Sequence, residues 1–104
     1  MVGSVPVDTN FSNATQSKVV EKNGVVYAST LNQSNVTHNN NKFYVMQIIQ
    51  TSEDYVFFCR WGRVGVVGQT SEMRSKDLDT LIRAYNTKLR EKTNGGYRVV
   101  EMNY

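Results

Sequence analysis

The sequence predicts an α+β fold in which a small antiparallel β-sheet packs against one α-helix. Two segments rich in β-branched and aromatic residues, Lys42 to Gln50 and Tyr55 to Arg63, are separated by four polar residues, which is the length of a hairpin turn. Further along the chain, apolar side chains recur at helical spacing and form one stripe: Leu78, Leu81, Ile82, Tyr85 and Leu89.

Length, charge and cysteine content limit the classes of protein to which this chain can belong. A chain of 104 residues can form one domain with one modest core. The net charge is +3, and the excess falls after residue 23, which permits an anionic partner. The single cysteine, Cys59, excludes an internal disulfide and favours a reducing intracellular compartment. We find no apolar run that approaches membrane-spanning length.

The first 23 residues differ in composition from the rest of the chain. They are rich in Ser, Asn, Thr and Val, with little charge and no periodicity, so residues 1–23 are predicted to be a disordered linker and residues 24–104 the folded domain. A first strand is predicted from Val25 to Leu31. The Asn-rich stretch from Asn32 to Asn41 is predicted to be a loop, because Asn tolerates left-handed turn conformations.

The central hairpin follows that loop. Its strands are Lys42 to Gln50 and Tyr55 to Arg63, joined by the polar turn of residues 51–54. Gly65 and Gly68 then allow the chain to turn sharply. Residues Gln69 to Met73 are predicted to form a further short strand.

The helix has signals at both of its ends. Ser75 is the predicted N-cap, and the acidic residues Asp77 and Asp79 favour the positive end of the helix dipole. The sequence Asn94-Gly95-Gly96 predicts its C-terminal end. A last strand is predicted from Tyr97 to Tyr104.

The residue types needed for common catalytic sites are missing. His38 is the only histidine and Cys59 the only cysteine, which excludes zinc clusters and Cys-His dyads by count. The segment Gly62 to Gly65 is only superficially similar to a dinucleotide-binding loop, because the next helix begins about ten residues later, too far for its N-terminus to hold a pyrophosphate. The sequence therefore predicts no catalytic residue and no metal site.

The most informative pair of residues is Trp61 and Arg63. Two residues apart on a strand, they project to the same face of the sheet, whereas Arg60 alternates to the opposite face. An indole can cover an apolar surface and a guanidinium can bind an anion, which is the chemistry of a nucleic-acid end. The alternatives are a half-buried packing role for Trp61 and a solvated surface position for Arg63.

These residues carry a family resemblance. The run Arg60-Trp61-Gly62-Arg63-Val64-Gly65, followed by Gly68-Gln69, resembles the signature of the WGR domain of DNA-dependent poly(ADP-ribose) polymerases. Residues 31–35, 39–44 and 97–104 resemble the second polymerase type most. The resemblance covers the chain from about Val25 onwards. It implies a small antiparallel sheet with one helix, and a role in binding DNA breaks and relaying this to a catalytic domain absent from this chain.

The resemblance also implies roles for five residues. Trp61 would pack on a sugar or base at the break, and Arg63 would hold the 5′-terminal phosphate. Asn41 and Lys42 would lie beside the DNA backbone, and the Tyr97 hydroxyl would donate to a phosphate. For these last three residues the alternatives are a turn residue, an edge-strand charge and a packing residue. Binding is expected to tolerate any sequence and to be salt-sensitive.

The remaining expectations follow from the same resemblance. The domain itself needs no cofactor, while the parent enzyme's catalytic domain would use NAD+ in the nucleus. Expected partners are DNA breaks with a 5′-phosphate and the parent's helical regulatory and catalytic domains, with no membrane and a monomeric isolated domain. One departure is the short connection Thr93 to Gly96 between helix and last strand. The alternative function is a protein-interaction module that docks the catalytic region or another nuclear protein.

Overall fold

The computed structural model describes residues 7–8, 11, 17–35 and 40–100. They form an antiparallel sheet with one α-helix across one face, which confirms the predicted α+β class. The elements are β1 (Lys18–Val19), β2 (Glu21–Lys22), β3 (Val25–Val26), β4 (Ala28–Asn35), β5 (Asn40–Gln50), β6 (Tyr55–Arg63), β7 (Gln69–Ser75), α1 (Leu78–Asn94) and β8 (Arg98–Val100).

The sheet is built around the predicted hairpin. Its strand order is β7-β6-β5-β4-β8, with β1 also pairing with β5, and β2 and β3 form a separate short ribbon. In the turn, the Thr51 amide donates to the Asp54 carbonyl at 2.9 Å, as expected for a four-residue connection. This turn sets the register of β5 and β6, which runs from the pair Gln50–Tyr55 to the pair Lys42–Arg63.

The sheet is buried on both sides in its centre. On the helix face, Met46 and Ile48 of β5 pack with Leu81 and Tyr85 of α1. On the opposite face, called the back face below, Ile49, Val56 and Phe58 pack with Phe11. Burial on both faces explains why β5 and β6 are continuous apolar runs rather than alternating ones.

Ordered structure begins earlier than the predicted start at Gly24. Strands β1 and β2 precede that position, and Phe11 is only 2% exposed, with its ring edge-on to Phe58 at 5.6 Å. The physical reason is that an otherwise uncovered apolar back face gains an aromatic ring from the N-terminal segment. The prediction of disorder is therefore wrong for the described residues of this segment, and its other residues lie outside the described ranges.

The predicted loop from Asn32 to Asn41 is also corrected. Strand β4 continues to Asn35 and β5 already begins at Asn40, with Ser34 opposite Asn41. The Ser34 hydroxyl donates to the Asn41 side-chain oxygen at 2.7 Å. The ladder continues beyond the core because backbone pairing does not require apolar side chains. Residues 36–39, including His38, lie outside the described ranges.

The helix begins at a different cap from the one predicted. Asp77, rather than Ser75, is the N-cap, and its carboxylate accepts from the Asp79 amide at 3.2 Å and the Thr80 hydroxyl at 2.8 Å. Ser75 instead ends β7, two residues beyond the predicted limit, and accepts from the Asp77 amide. Gly95 and Gly96 end the helix as predicted, through amide donation to carbonyls of the last turn. The described part of the last strand is β8, and residues 101–104 lie outside the description.

Candidate nucleic-acid interface

The end of strand β6 presents Trp61 and Arg63 to the helix face. Trp61 pairs with Tyr44 across the hairpin, and the two rings stack with centroids 5.6 Å apart and an interplanar angle of 14°. The contact with Tyr44 shows that Trp61 lies on the helix face. Strand alternation then places Arg63 on the same face, as predicted. The indole is partly buried and Arg63 is exposed, so Trp61 both packs and presents a surface.

Tyr44 and Trp61 belong to a larger group, called the aromatic cluster below, which also contains Lys92 and Tyr97. The Lys92 ammonium lies 4.6 Å from the Tyr44 ring centroid and 5.7 Å from that of Tyr97. Tyr97 meets Tyr44 edge-on at 6.1 Å. Burial raises the pKa of the Tyr97 hydroxyl, so this group stays protonated at neutral pH and can donate to an acceptor.

Two cations stand side by side at the open end of the hairpin, the end furthest from the turn of residues 51–54. Lys42 and Arg63 are direct partners in the β5–β6 ladder, and both are exposed. Directly opposed side chains in an antiparallel pair have Cβ atoms about 4.5–5.5 Å apart, and like charges in this position are destabilising. Neither has a carboxylate within ion-pair distance among the described residues. This arrangement suits an anion that both cations can contact.

The helix ends close to this pair. Gln33 of β4 is the partner of Lys42, and its amide donates to the Gly95 carbonyl at 3.1 Å. The C-terminal end of α1 is thereby held near the open end of the hairpin. Lys92 in its last turn offsets the negative end of the helix dipole there.

Glycines shape the backbone behind the pair Trp61 and Arg63. Gly68 has φ +87°, and a Cβ there would lie 2.2 Å from the Trp61 carbonyl oxygen. A Cβ on Gly62 would lie 3.0 Å from the Gly68 Cα atom. The loop of residues 64–68 therefore returns directly against the strand, which requires glycine at position 68 and leaves little room for a side chain at position 62. The positive φ values of Gly65 and Gly68 agree with the prediction that these two glycines let the chain turn sharply.

Asn41 occupies a different position from the other predicted site residues. It alternates to the back face relative to Lys42, and its side-chain oxygen accepts from Ser34. Its backbone carbonyl accepts from the Val64 amide at 2.9 Å, which ties the loop of residues 64–68 to β5. The structure thus brings Lys42, Trp61, Arg63 and Tyr97 to one face, and leaves the Asn41 side chain off it.

Arg60 points to the back face, as predicted, and has a structural role there. Its Nε donates to the Asp8 carboxylate at 2.9 Å, and its Nη1 donates to the Val67 carbonyl at 2.8 Å. Its guanidinium also lies 4.9 Å from the Phe43 ring centroid. Arg60 therefore connects the N-terminal segment to the loop that follows Arg63, a link that sequence reasoning missed because Asp8 lies in a segment predicted to be disordered.

Lys88 and Lys92 are two further residues that lie beside the candidate site and that the sequence analysis did not select. Both line a groove together with Tyr44 and Trp61. A signal was present, because they follow Tyr85 by three and seven residues and so continue the buried stripe of the helix.

Neither a membrane-spanning helix nor a metal site occurs in the part of the chain that the structure describes. No helix there is long and apolar enough to cross a membrane. No group of three or more His, Cys, Asp or Glu side chains in the described ranges is arranged to hold a metal ion.

Comparison with known proteins identifies the family of this chain. Residues 27–103 match the WGR domain. Human protein mono-ADP-ribosyltransferase PARP3 is 44% identical over 73 residues, which cover 68% of this chain and 14% of the relative. Poly [ADP-ribose] polymerase 2 from Arabidopsis thaliana is 40% identical over 81 residues, covering 75% of this chain and 13% of the relative. The human poly [ADP-ribose] polymerase 2 is 31% identical over 99 residues, which cover 91% of this chain and 17% of the relative. The chain thus spans less than a fifth of the length of these relatives, and it belongs to the WGR domain family.

Proposed function

We propose that this chain is the DNA-break-binding regulatory domain of an ADP-ribosyltransferase, and that it recognises 5′-phosphorylated ends or nicks. The observation that supports this most is the pair Lys42 and Arg63, which have no carboxylate partner among the described residues and stand beside the partly exposed Trp61. The domain is itself non-catalytic in this proposal. The catalytic domain of the parent enzyme would use NAD+, and the parent would act in the nucleus.

Each group has a chemical part in the proposed contact. The planar guanidinium of Arg63 can hold two oxygens of a terminal phosphate, and the Lys42 ammonium adds a second positive charge. The exposed part of the Trp61 indole can pack on the neighbouring sugar or base. The Tyr97 hydroxyl can donate to a phosphate oxygen. None of these contacts reads a base edge, so the proposal predicts structure-specific and sequence-tolerant binding.

The test is the affinity for nicked and blunt DNA duplexes with and without a 5′-phosphate, measured by fluorescence anisotropy. Removal of the phosphate should weaken binding, and Arg63→Ala should cost about 1.5–3 kcal/mol on the phosphorylated duplex only. Arg83→Ala is the matched control, because Arg83 is exposed on the helix and contacts only Thr80 by a hydrogen bond among the described residues. If neither phosphate removal nor Arg63→Ala changes the affinity, the terminal-phosphate mechanism is wrong.

One observation favours the second candidate, a protein-interaction module. Val64, Val66 and Val67 are 55%, 56% and 61% exposed on the loop after Arg63. This loop is held in place by the Val64 amide, which donates to Asn41, and by the Arg60 guanidinium, which donates to Val67. Ordered and exposed apolar side chains are suited to a protein contact. In that case the double change Val66→Ser and Val67→Ser would abolish binding to the parent's regulatory and catalytic region, while the affinity for DNA ends stayed unchanged.

A further inference from the structure

A groove on the helix face lies between the C-terminal half of α1 and strands β6 and β7. Its volume is about 510 Å³. Tyr44, Cys59 and Trp61 line its floor, Met73 of β7 lines one wall, and Lys88 and Lys92 of α1 line the other. The groove stays open because β7 is an edge strand that pairs only with β6 and is exposed along almost its whole length.

The charges around this groove favour an anionic ligand. The Lys92 ammonium lies over the Tyr44 ring, and the Lys88 ammonium is 3.9 Å from the carboxylate of Glu91, three residues further along the helix. Among the described residues Glu72 is the one carboxylate that lines the groove, and it accepts from Arg74 Nη2 at 3.0 Å. Burial raises the pKa of the Cys59 thiol, which therefore adds no negative charge at neutral pH. The groove therefore carries Lys92 above its aromatic floor and Lys88 on its wall, with the charge of Lys88 partly offset by Glu91.

The groove is continuous with the proposed DNA interface, because Trp61 belongs to both. Its volume is within the range of about 300–1,000 Å³ typical of small-ligand sites, which is room for one nucleotide. Aromatic side chains beside a positively charged groove are the usual means of binding single-stranded nucleic acid, since every base offers a flat face and every nucleotide a phosphate.

We propose that this groove binds a nucleotide of the single strand that leaves a DNA break, with the base against the aromatic floor and its phosphate at Lys88 and Lys92. The proposal extends the proposed function, since the strand would enter the groove from the terminus beside Arg63. A free nucleotide such as ADP-ribose offers the same chemistry, so the experiment must separate the two sources.

The fluorescence of Trp61 provides a direct measurement, because it is the only tryptophan in the chain. Titration with an oligothymidylate of six residues should quench it. The double change Lys88→Ala and Lys92→Ala removes two charge-assisted contacts and should weaken this binding by about tenfold or more. It should also lower the slope of log affinity against log salt by about 0.7 for each lysine. Arg90→Ala is the matched control, since it removes one charge from the same helix at an exposed position that does not line the groove.

A second variant separates a loss of binding from a loss of folding. Met73 is 49% exposed, so Met73→Glu should leave the domain folded while placing a carboxylate at the groove wall. It should weaken oligothymidylate binding as the lysine changes do. Quenching by oligothymidylate that neither the lysine changes nor Met73→Glu affects would overturn the proposal. Quenching by ADP-ribose without quenching by oligothymidylate would overturn the assignment to a DNA strand.

The groove can be tested separately from the end-binding site with two duplexes that share a 5′-phosphate. One is blunt and the other carries a single-stranded overhang beside the phosphate. The overhang should raise the affinity of the unmodified chain, and Lys88→Ala alone should reduce this gain while leaving the blunt-end affinity within about twofold, because Lys88 lines the groove and its described ion pair is with Glu91 rather than with a residue of the end-binding site. If removal of the 5′-phosphate leaves the blunt-end affinity unchanged while the overhang still raises the affinity, the proposed function is wrong and the groove is still supported.

Discussion

Replacing Gly68 by Ala should destabilise the domain more than replacing Gly65, although both have positive φ. The φ values are +87° for Gly68 and +104° for Gly65, and alanine in this region costs about 1–2 kcal/mol. The two positions differ in the space available to a side chain. A Cβ on Gly68 would lie 2.2 Å from the carbonyl oxygen of Trp61 and 2.8 Å from its carbonyl carbon, whereas nothing lies within 4 Å of a Cβ on Gly65.

These differences give a graded series of stabilities. For Gly65→Ala, the strain is partly offset by the smaller entropy of the unfolded chain, which leaves a net loss of about 0.5–1.5 kcal/mol. Gly68→Ala adds an overpacking term of about 1–3 kcal/mol, for a net loss of about 2–4 kcal/mol. Gly62 has no positive φ, and a Cβ there would meet the Gly68 Cα atom at 3.0 Å, so Gly62→Ala should cost about 1–2 kcal/mol.

Urea unfolding followed by Trp61 fluorescence can measure the free energy of unfolding for each variant. Gly24→Ala is the matched control, because Gly24 has φ +79° and a Cβ on it would have no neighbour within 4 Å. It should behave as Gly65→Ala does. The reasoning is refuted if Gly68→Ala and Gly65→Ala agree within about 0.5 kcal/mol, since the contact with the Trp61 carbonyl would then carry no cost.

Two further substitutions and one labelling experiment test the core and the back face. Leu81→Ala empties a fully buried position and should cost about 2–5 kcal/mol in urea unfolding; a loss below this range would mean that the helix repacks. Asp8→Asn deprives Arg60 of its carboxylate partner and should cost up to about 3 kcal/mol, the lower end for buried pairs, because the Arg60 side chain is 19% exposed and keeps its hydrogen bond to the Val67 carbonyl; no loss would show that the Asp8–Arg60 pair does not stabilise the domain. Burial raises the pKa of Cys59, so the thiol stays protonated at neutral pH, and its alkylation by iodoacetamide should rise only through the unfolding transition. Rapid alkylation of the folded chain would contradict this.

The limits of strand β6 could be predicted because the local sequence determines them. The turn of residues 51–54 is polar and the strand after it is a continuous apolar run, so the predicted and observed ranges of Tyr55–Arg63 agree. The extension of β4 and β5 into Asn-rich sequence could not be predicted in the same way. It depends on backbone hydrogen bonds to a neighbouring strand, which the residue types do not report. The burial of Phe11 likewise depends on a vacant apolar surface that only the folded sheet presents.

In the candidate site too, some contacts can be predicted from the local sequence and others cannot. The four-residue turn places Gln50 opposite Tyr55. Counting eight positions away from the turn along each strand then places Lys42 opposite Arg63, so the sequence contains enough information to predict this pair. The contact of Lys92 with Tyr44 requires the crossing angle of the helix over the sheet, which hydrophobic periodicity does not specify. The bond between Asp8 and Arg60 spans 52 positions and has no local signal.

The distribution of paired charges explains why one end of the sheet is suited to an anion despite a modest net charge. At the opposite end, Arg74 is within 3.0 Å of Glu72 and 3.4 Å of Asp54, and Lys22 is 3.0 Å from Asp79 near the helix N-terminus. These pairs neutralise each other locally. The molecule is 45 Å long, and the Debye length at physiological salt is about 8 Å, so charges at the turn end of the hairpin are screened from its open end by several screening lengths. An approaching phosphate therefore responds mainly to the charges at the open end, where the lack of carboxylate partners for Lys42 and Arg63 in the described residues matters more than the total of +3.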